Sequence, residues 1–475
     1  MDQSTETPGG DGQPPFWKLR RNRIAFLGFL GYINVYTLRV NLSVGIVAMS
    51  VPTETTVTEF QWSPQLRGTV MSSFFYGYIF TQLLGGVLAN KIGGVKLIGY
   101  GVLSTAIFTI LTPVAARYSV YLVIAVRIIE GVFEGVVFPA MHGVWSKWAP
   151  PNESTRLTSY VISGAYVGTV IGYPMCGWLA KNYDWPSTFY VPGFIAIIWC
   201  AVWLTTIAET PGEDKSITKE ELKYIIDSIG PTDDKKLSVS NYPWKQIFTS
   251  MPVWSITFST VCENWGFFTL LTQLPTFMHD VLKFDIGKGS LLSALPYSVM
   301  AVALQFSGIF IDWVRKTNIF TTTQVRKIST CGAFFLQSIC MFSAGNCETG
   351  LGSIIFLTLT AGLVSFSVTG YCVNPLDIAP QYASIILGIA NTFGTIPGIV
   401  SPLLTGFIVQ HQSPEEWKWV FIISSSLYFL GGLLYAIFGS GERQHWAEIK
   451  TTSKNDFVDE PLMRNNDIVP LSQCE

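Results

Sequence analysis

The segment VRIIEGVFEGVVFPAMHGVWSKWAPP, residues 126–151, places the strongest constraint on the fold. It is apolar enough for a membrane, yet its first half carries Arg127, Glu130 and Glu134. A charge at the centre of a bilayer costs about 2.5–3.5 kcal/mol on insertion scales. At about 100° per residue, offsets of three and seven residues return to one face of a helix. We therefore expect the three charged side chains to share a face that lies against other helices or a water-filled cavity.

The whole chain shares the apolar character of this segment. Hydrophobic residues make up 49% of its 475 residues and charged residues only 13%, whereas soluble domains are typically about 25% charged. So little charge cannot cover the surface of a soluble protein of this length, and the composition predicts an all-α polytopic protein in a lipid bilayer. The formal net charge is −2, so no nucleic-acid partner is expected.

Apolar runs long enough to cross about 30 Å of hydrocarbon recur along the chain. Six of them precede a polar stretch and six follow it, which is the layout of a transporter built from two halves. The sequence therefore predicts twelve transmembrane helices, at residues 24–50, 66–89, 95–115, 119–145, 157–180, 188–207, 251–277, 289–311, 326–345, 351–373, 382–410 and 418–438.

The predicted organisation has five parts: a cytosolic N-terminal tail (1–23), a six-helix half (24–207), a cytosolic linker (208–250), a second six-helix half (251–438) and a cytosolic C-terminal tail (439–475). Within the linker, TKEELKYIIDSIGP predicts a short amphipathic helix on the cytosolic surface. Thr218 and Glu221 have the spacing of a capping box, and Gly230-Pro231 ends the run.

The distribution of Lys and Arg predicts the orientation. If the N-terminus is cytosolic, most of the 30 Lys and Arg residues fall in cytosolic loops, linker and tails. Positive residues are enriched on the cytosolic side of membrane proteins, so both termini are predicted to be cytosolic.

Four charged residues inside the predicted helices are the principal candidates for function. Arg39 lies in the first helix, and a guanidinium in a cavity can hold a carboxylate or phosphate through paired hydrogen bonds. Glu130 and Glu134 are predicted to couple protons, with Arg127 as their neighbouring cation, and which glutamate carries the proton stays open. The competing interpretation is an Arg127–Glu130 ion pair that only locks helix packing, but this leaves Arg39 and Glu134 unexplained.

Further polar residues in the apolar runs are secondary candidates. His142 belongs either to the proton path or to the membrane interface. Tyr76, Asn264 and Asn374 are candidate substrate-binding residues, and Glu263 is a candidate modulator of the same site, although such side chains also serve as contacts between helices. The sequence contains no spacing typical of a metal site or of a nucleophile–base pair. We therefore expect no metal, no cofactor and no enzymatic activity.

Several segments together resemble one family of transporters. They are RVNLSV (39–44), SSFFYGYIFTQ (72–82), RIIEGVFEGVVFPAMHGVWSKWAPP (127–151), LLTQLPTFM (270–278), LDIAP (376–380) and GIANTFGTIPGIV (388–400). Over about residues 20–450, the chain resembles the anion/cation symporter family of the major facilitator superfamily. This family contains sialin, the vesicular glutamate transporters and the type I sodium/phosphate cotransporters.

The resemblance implies the major facilitator fold, with twelve helices in two six-helix halves and alternating access to a central site. It also implies that an arginine like Arg39 helps to bind the substrate anion. A glutamate pair like Glu130 and Glu134 is, by the same resemblance, tied to proton coupling.

Within the family the sequence resembles sialin-like members most. Vesicular glutamate transporters carry a histidine where this chain has Met71, an arginine where it has Glu263 and a glutamine where it has Glu130. The retained glutamate pair resembles that of sialin, a proton-coupled exporter of acidic sugars from lysosomes. Glu263 leaves the exact substrate open, because a carboxylate there is expected to lower affinity for a second anionic group.

The predicted function is secondary active transport of a small organic anion, an acidic sugar or another carboxylate, coupled to H⁺. The alternatives are sodium-dependent cotransport of phosphate or another anion, with Na⁺ as the coupling ion, and vesicular anion transport of the glutamate type. A receptor that keeps the fold without transporting is the alternative from a different class. We expect a monomer in a lysosomal, vesicular or plasma membrane, with a small anionic solute as its partner.

Overall fold

The predicted apolar runs fold as long α-helices. The computed structural model describes residues 19–50, 60–229, 243–317, 319–347, 349–379 and 382–447, and within these ranges all regular structure is helical. The predicted tails lie mostly outside the described residues, as does Gly230-Pro231, where the linker helix is predicted to end.

Seventeen α-helices are present in the described part of the chain. The first eight are α1 (Arg20–Ser50), α2 (Pro64–Ile92), α3 (Gly94–Tyr118), α4 (Val120–Glu134), α5 (Val137–Trp148), α6 (Pro151–Asn182), α7 (Ser187–Thr206) and α8 (Lys219–Ile229). The others are α9 (Trp244–Thr249), α10 (Met251–Asp280), α11 (Ile286–Lys316), α12 (Thr322–Asn346), α13 (Gly350–Tyr371), α14 (Asn374–Ile378), α15 (Ala383–Gly394), α16 (Ile396–Ile408) and α17 (Pro414–Phe438).

Seven described helical segments are long and apolar enough to cross a membrane: Gly94–Tyr118, Ser187–Thr206, Ile286–Arg315, Thr322–Asn346, Gly350–Ile378, Ile385–Ile408 and Pro414–Phe438. The five other predicted spans also coincide with helices, namely α1, α2, α4 with α5, α6 and α10. The protein is therefore all-helical with several membrane-spanning segments, and the full count of twelve stays a prediction.

The segment 126–151 is not one continuous helix, because a turn at Gly135 and Val136 separates α4 from α5. Glycine weakens a helix, and this part of α4 also packs directly against α2. A Cβ atom added to Gly131 of α4 or to Gly77 of α2 would collide with the backbone of the other helix. Small residues permit such close helix contacts, and here they bring the charged face of α4 against α2.

The two largest hydrophobic cores among the described residues organise the helices. One lies among α1, α3, α5, α6 and α7 and includes Trp203, whose indole N–H donates to the Val95 carbonyl at 2.9 Å. The other lies mainly among α10, α12, α13 and α17, where the rings of Phe277 and Phe421 pack edge to face with centroids 5.0 Å apart. Large buried aromatic rings contribute much of the packing energy of such cores.

The two sets of helices contact each other mainly through α2 with α16 and α6 with α11. Gly68 and Gly406 lie where α2 and α16 touch, and a Cβ on either would press against the backbone of the other helix. Beside this contact, Lys181 at the end of α6 forms a 2.5 Å ion pair with Asp285, which precedes α11. These contacts close the gap between the two sets of helices at the end where α2 and α11 begin.

The linker helix predicted from TKEELKYIIDSIGP is present as α8 and packs against the start of α1. The Thr218 hydroxyl accepts from the Glu221 backbone N–H at 3.2 Å, so one half of the predicted capping box forms. The other half does not, because the Glu221 carboxylate accepts from the backbone N–H groups of Arg20 and Arg21, at 2.9 and 3.2 Å. Arg20 also pairs with Asp214 at 2.7 Å, so charged contacts attach the linker to α1.

Candidate solute-binding site

A cavity of about 190 Å³ lies between the two sets of helices. A cavity needs only about 10–15 Å³ on this measure to hold one water, so the space is sufficient for a small solute. Helices α1, α2, α5, α6, α10, α11, α13 and α15 contribute to its wall. Tyrosine and phenylalanine rings form part of the lining. Six non-aromatic polar side chains also line the cavity: Arg39, Gln82, Glu263, Asn264, Asn391 and Thr395.

Arg39 is the cation of this cavity. Its side chain is buried, and its Nε donates to Glu134 Oε1 at 2.9 Å while Nη2 donates to the same oxygen. The guanidinium carbon lies 4.8, 5.0 and 4.9 Å from the ring centroids of Tyr36, Phe74 and Tyr78. A cation held over aromatic faces is stabilised by their quadrupoles, so these rings and Glu134 together fix the orientation of Arg39.

Arg127 and Glu130 form a second buried pair beside the first. Arg127 Nη1 lies 2.5 Å from Glu130 Oε2, and the Thr109 hydroxyl on α3 donates to Glu130 Oε1 at 3.0 Å. The ring of Phe74 contacts the Arg127 guanidinium at 5.1 Å, as it does that of Arg39. The predicted ion pair is therefore present, and it leaves Arg39 as the partner of the second glutamate.

Arg127, Glu130 and Glu134 are all buried, with 4%, 0% and 1% of their surface exposed. The expectation that this charged face of α4 turns away from the outer surface is confirmed. The two glutamates differ in one respect: both Glu130 oxygens have hydrogen-bond partners, whereas Glu134 Oε2 is buried and has none among the described residues. This carboxylate oxygen is therefore free to take a proton or to accept a hydrogen bond from a ligand.

Glu263 enters the same cavity from α10. Its carboxylate accepts from Gln337 Nε2 at 3.3 Å and from the Ser367 hydroxyl, which belong to α12 and α13. The adjacent Asn264 also lines the cavity and donates to the Gly394 carbonyl at 2.8 Å. Both residues line the cavity, and their roles in solute binding stay predictions.

Three other predicted site residues lie elsewhere. Tyr76 is half-buried on α2 and does not line the cavity, whereas Tyr78 does. Two residues apart on a helix, these tyrosines point in nearly opposite directions. Asn374 is fully buried on α14 and donates to the Tyr435 hydroxyl at 2.7 Å, so it packs within the second set of helices. His142 is exposed on α5 and is not part of the cavity wall.

The cavity also contains residues that the sequence analysis did not select. They are Tyr36, Gln82, Tyr166, Tyr371, Asn391 and Thr395. A polar residue among apolar neighbours was the available signal for Gln82 and Asn391. The tyrosines carry no such signal, because tyrosine is equally common in apolar helical cores.

Known proteins resemble this chain over most of its length. The family model described as Major Facilitator Superfamily matches residues 24–402. Vesicular glutamate transporter 1 of Bos taurus is 39% identical over 461 residues, which are 94% of this chain and 82% of that relative. Vesicular glutamate transporter 1 of Xenopus tropicalis is 40% identical over 454 residues, or 93% and 79% of the two chains. Vesicular glutamate transporter 2 of Homo sapiens is 39% identical over 447 residues, or 92% and 76%.

Solved structures share the fold. A bacterial homologue of the human lysosomal transporter Spinster, in an inward-facing and occupied conformation, superposes with a TM-score of 0.69 at 12% identity and covers 90% of this chain and 97% of its own. A D-xylose–proton symporter superposes with a TM-score of 0.66 at 15% identity, covering 89% and 99%. At these identities the likeness concerns the fold alone.

These comparisons agree with the resemblance inferred from the sequence motifs. The relatives come from the anion/cation symporter group that those motifs indicate, and the structural neighbours have the all-helical fold that was predicted. Their names correspond to the alternative of vesicular anion transport rather than to the sialin-like interpretation. The chain belongs to the major facilitator superfamily, and it is a multi-pass membrane transport protein rather than an enzyme.

Proposed function

We propose that this protein moves a small organic carboxylate across a membrane by alternating access, with protons as the coupling ion. The observation that carries the proposal is the buried ion pair between Arg39, which lines the cavity, and Glu134. Arg39 provides the charge and the fork of donors that a carboxylate requires. Glu134 occupies that fork when no solute is present.

The same pair supplies a physical link between proton and solute. A proton on Glu134 removes the negative charge that holds Arg39, so the guanidinium becomes available to a solute carboxylate. Loss of the proton restores the Arg39–Glu134 pair and expels the solute. Glu130 keeps Arg127 neutralised throughout, because its two oxygens are occupied by Arg127 and Thr109. Glu134 is therefore the stronger candidate for the proton carrier.

The names of the relatives favour an amino-acid anion and a vesicular membrane over an acidic sugar and a lysosomal one. We accordingly place glutamate-type anions first among the candidate solutes and acidic sugars second. The proposed arrangement has twelve membrane-spanning helices in two six-helix halves, cytosolic termini and a monomer as the transporting unit. The helices that coincide with all twelve predicted spans support this arrangement.

Uptake into proteoliposomes tests the proposal. The purified full-length chain is reconstituted and supplied with labelled sialic acid, glucuronate, glutamate, urate or phosphate, under a proton gradient or a sodium gradient. We expect a carboxylate to accumulate with the proton gradient alone. Accumulation of phosphate that requires sodium and ignores the proton gradient would contradict the proposal and support sodium-dependent cotransport instead.

A further inference from the structure

The cavity contains one carboxylate that the proposed proton–solute exchange does not use. Glu263 lies on α10, whereas Arg39 lies on α1, so the two charges reach the cavity from different sets of helices. Glu263 is 2% exposed, and the groups that donate to it are the Gln337 amide and the Ser367 hydroxyl. Both donors are neutral, and no Lys, Arg or His of the described residues forms an ion pair with Glu263.

The buried charges around the cavity do not balance. Arg39 is paired with Glu134, and Arg127 is paired with Glu130, which leaves Glu263 as the additional carboxylate. An ionised carboxylate away from water is strongly disfavoured unless a counter-charge accompanies it. Its two oxygens offer about four acceptor positions, and the two neutral donors leave room for another. When Glu263 is ionised and no solute is present, these buried groups are therefore one cation short.

We infer that the transported solute carries an amine as well as a carboxylate, and that its ammonium group pairs with Glu263 while its carboxylate binds Arg39. The inference rests on the proposed function, since it assigns the other side of the same cavity. An amino acid presents both groups at once. An acidic sugar or inorganic phosphate presents no cation to Glu263, and its own negative charge would be repelled there. Glu263 is therefore the residue that selects for the amine.

Pairs of solutes that differ only in the amine test this inference on the unmodified protein. Uptake of glutamate is compared with that of glutarate, and uptake of γ-aminobutyrate with that of butyrate, in proteoliposomes that contain the full chain. Glucuronate and phosphate are included as solutes without an amine. In at least one pair, we expect the solute with the amine to have an apparent affinity at least about ten-fold higher than its partner without the amine. This factor corresponds to one well-formed charged contact.

The outcomes separate this inference from the proposed function. If the amine-free member of each pair, or glucuronate, is carried as well as or better than the amine-bearing one, the inference is overturned while carboxylate transport stands. If no carboxylate is carried, the proposed function fails and the inference fails with it.

Variants locate the preference at Glu263. Glu263→Gln should raise the apparent KM for the amine-bearing solute at least about ten-fold and leave its amine-free partner unchanged or improved, whereas Glu263→Asp keeps the preference. Asp280→Asn is the matched control, because it removes a buried carboxylate from the same helix outside the cavity. Equal weakening of both solutes by Glu263→Gln, or a changed pH profile with the preference intact, would assign Glu263 to proton handling and overturn the inference.

Discussion

Arg39 is the side chain on which solute binding depends most. Arg39→Ala removes the only charged donor among the cavity residues of the described chain and leaves Glu134 buried without its cation. Truncating one partner of a buried charge pair costs roughly 2–5 kcal/mol, so we expect carboxylate uptake to fall by about 30-fold or more. Initial uptake rates in proteoliposomes measure the effect, with the amount of folded protein checked by gel filtration.

Arg39→Lys is the matched control for this substitution. It keeps the positive charge but loses the planar fork of donors, so its uptake should lie between that of the wild type and that of the alanine variant. Wild-type uptake by Arg39→Ala would remove Arg39 from the solute site.

The two glutamates of α4 should respond differently to neutralisation. Glu134→Gln removes the group whose second oxygen has no partner among the described residues, and we expect it to flatten the pH dependence of uptake. Glu130→Gln breaks an ion pair that is already complete, so it should mainly lower stability, by roughly 1–3 kcal/mol, and keep the pH dependence. Uptake from pH 5 to pH 8 and thermal unfolding measure the two effects; an unchanged pH profile in both variants would count against either glutamate as the proton carrier.

The sequence was informative about the buried charges and less so about the neutral polar residues. Arg39, Glu134 and Glu263 could be selected because a charge in an apolar helix must be shielded from lipid, whichever neighbours it has. Asn374 satisfies the same pattern of a polar residue in an apolar run, yet it pairs with Tyr435 on a different helix. Whether such a residue faces the cavity or a neighbouring helix depends on how its helix is rotated about its own axis, and apolar periodicity alone does not define that rotation.

Helix contacts in this protein depend on glycine. Gly131→Ala places a methyl group against the α2 backbone at Phe74, so α2 and α4 must separate or the helix must shift. Overpacking of this kind typically costs about 1–3 kcal/mol, and the separation would also disturb the Arg39 and Arg127 pairs beside Phe74. We expect a lower temperature of thermal unfolding in detergent and reduced uptake.

Gly332→Ala on α12 is the control for this prediction, because a Cβ there meets no atom within 4 Å. It should leave the unfolding temperature unchanged or raise it, since alanine favours a helix more than glycine does. An equal effect of the two substitutions would show that the close contact of α2 and α4 does not matter for stability.

The apolar runs predicted the position of every long helix but not where a helix is interrupted. The predicted spans 119–145 and 382–410 each contain two helices, with turns at Gly135-Val136 and at Thr395. Both spans are apolar on either side of the break, so hydropathy gives no signal there. The interruptions lie instead at helix-weakening residues, Gly135 in the first span and Gly394 and Pro397 on either side of Thr395 in the second, and at α4 the contact with α2 contributes as well.

The two sets of helices are held together at one end partly by charge. Lys181 donates to the Asp285 carboxylate, and this hydrogen bond holds the pKa of that carboxyl below its usual value. The pair therefore stabilises the contact between the two sets of helices fully above about pH 4, which is the ordinary pKa of aspartate. This stabilisation is lost only as the pH falls through the lowered pKa of Asp285. Between pH 5 and pH 8 the Asp285 carboxylate therefore stays ionised, so its titration cannot produce a pH dependence of transport in that range.

Asp285→Asn should loosen this closure without altering helix initiation. Asparagine can still accept from the Lys288 backbone N–H, as Asp285 does at 3.1 Å. The pair is about half exposed, so its loss should cost at most about 1 kcal/mol. A cysteine introduced by Met71→Cys reports on this interface in nanodiscs through its rate of reaction with a thiol reagent. We expect Asp285→Asn to make this reaction up to about five-fold faster than it is with Asp285 present. Lys181→Ala should have the same effect. Unchanged labelling in both would exclude this pair from the closure.

The charge layout of the whole molecule distinguishes this chain from a simple anion carrier. Arg39 and Glu263 line one cavity, and the buried Glu134, Glu130 and Arg127 belong to the same set of helices as Arg39. A proton on Glu134, together with a zwitterionic solute whose carboxylate binds Arg39 and whose amine binds Glu263, would neutralise the single excess negative charge. Proton coupling and solute selection would then be two consequences of the same imbalance.

The most direct test of this account is the movement of protons with the solute. Proteoliposomes containing the wild type and an internal pH dye receive a carboxylate on one side, with the membrane potential clamped. Addition of the solute should move protons in the same direction, and Glu134→Gln should abolish that proton movement. Solute uptake by the wild type without any proton movement, or the same ratio of protons to solute in Glu134→Gln, would contradict the account.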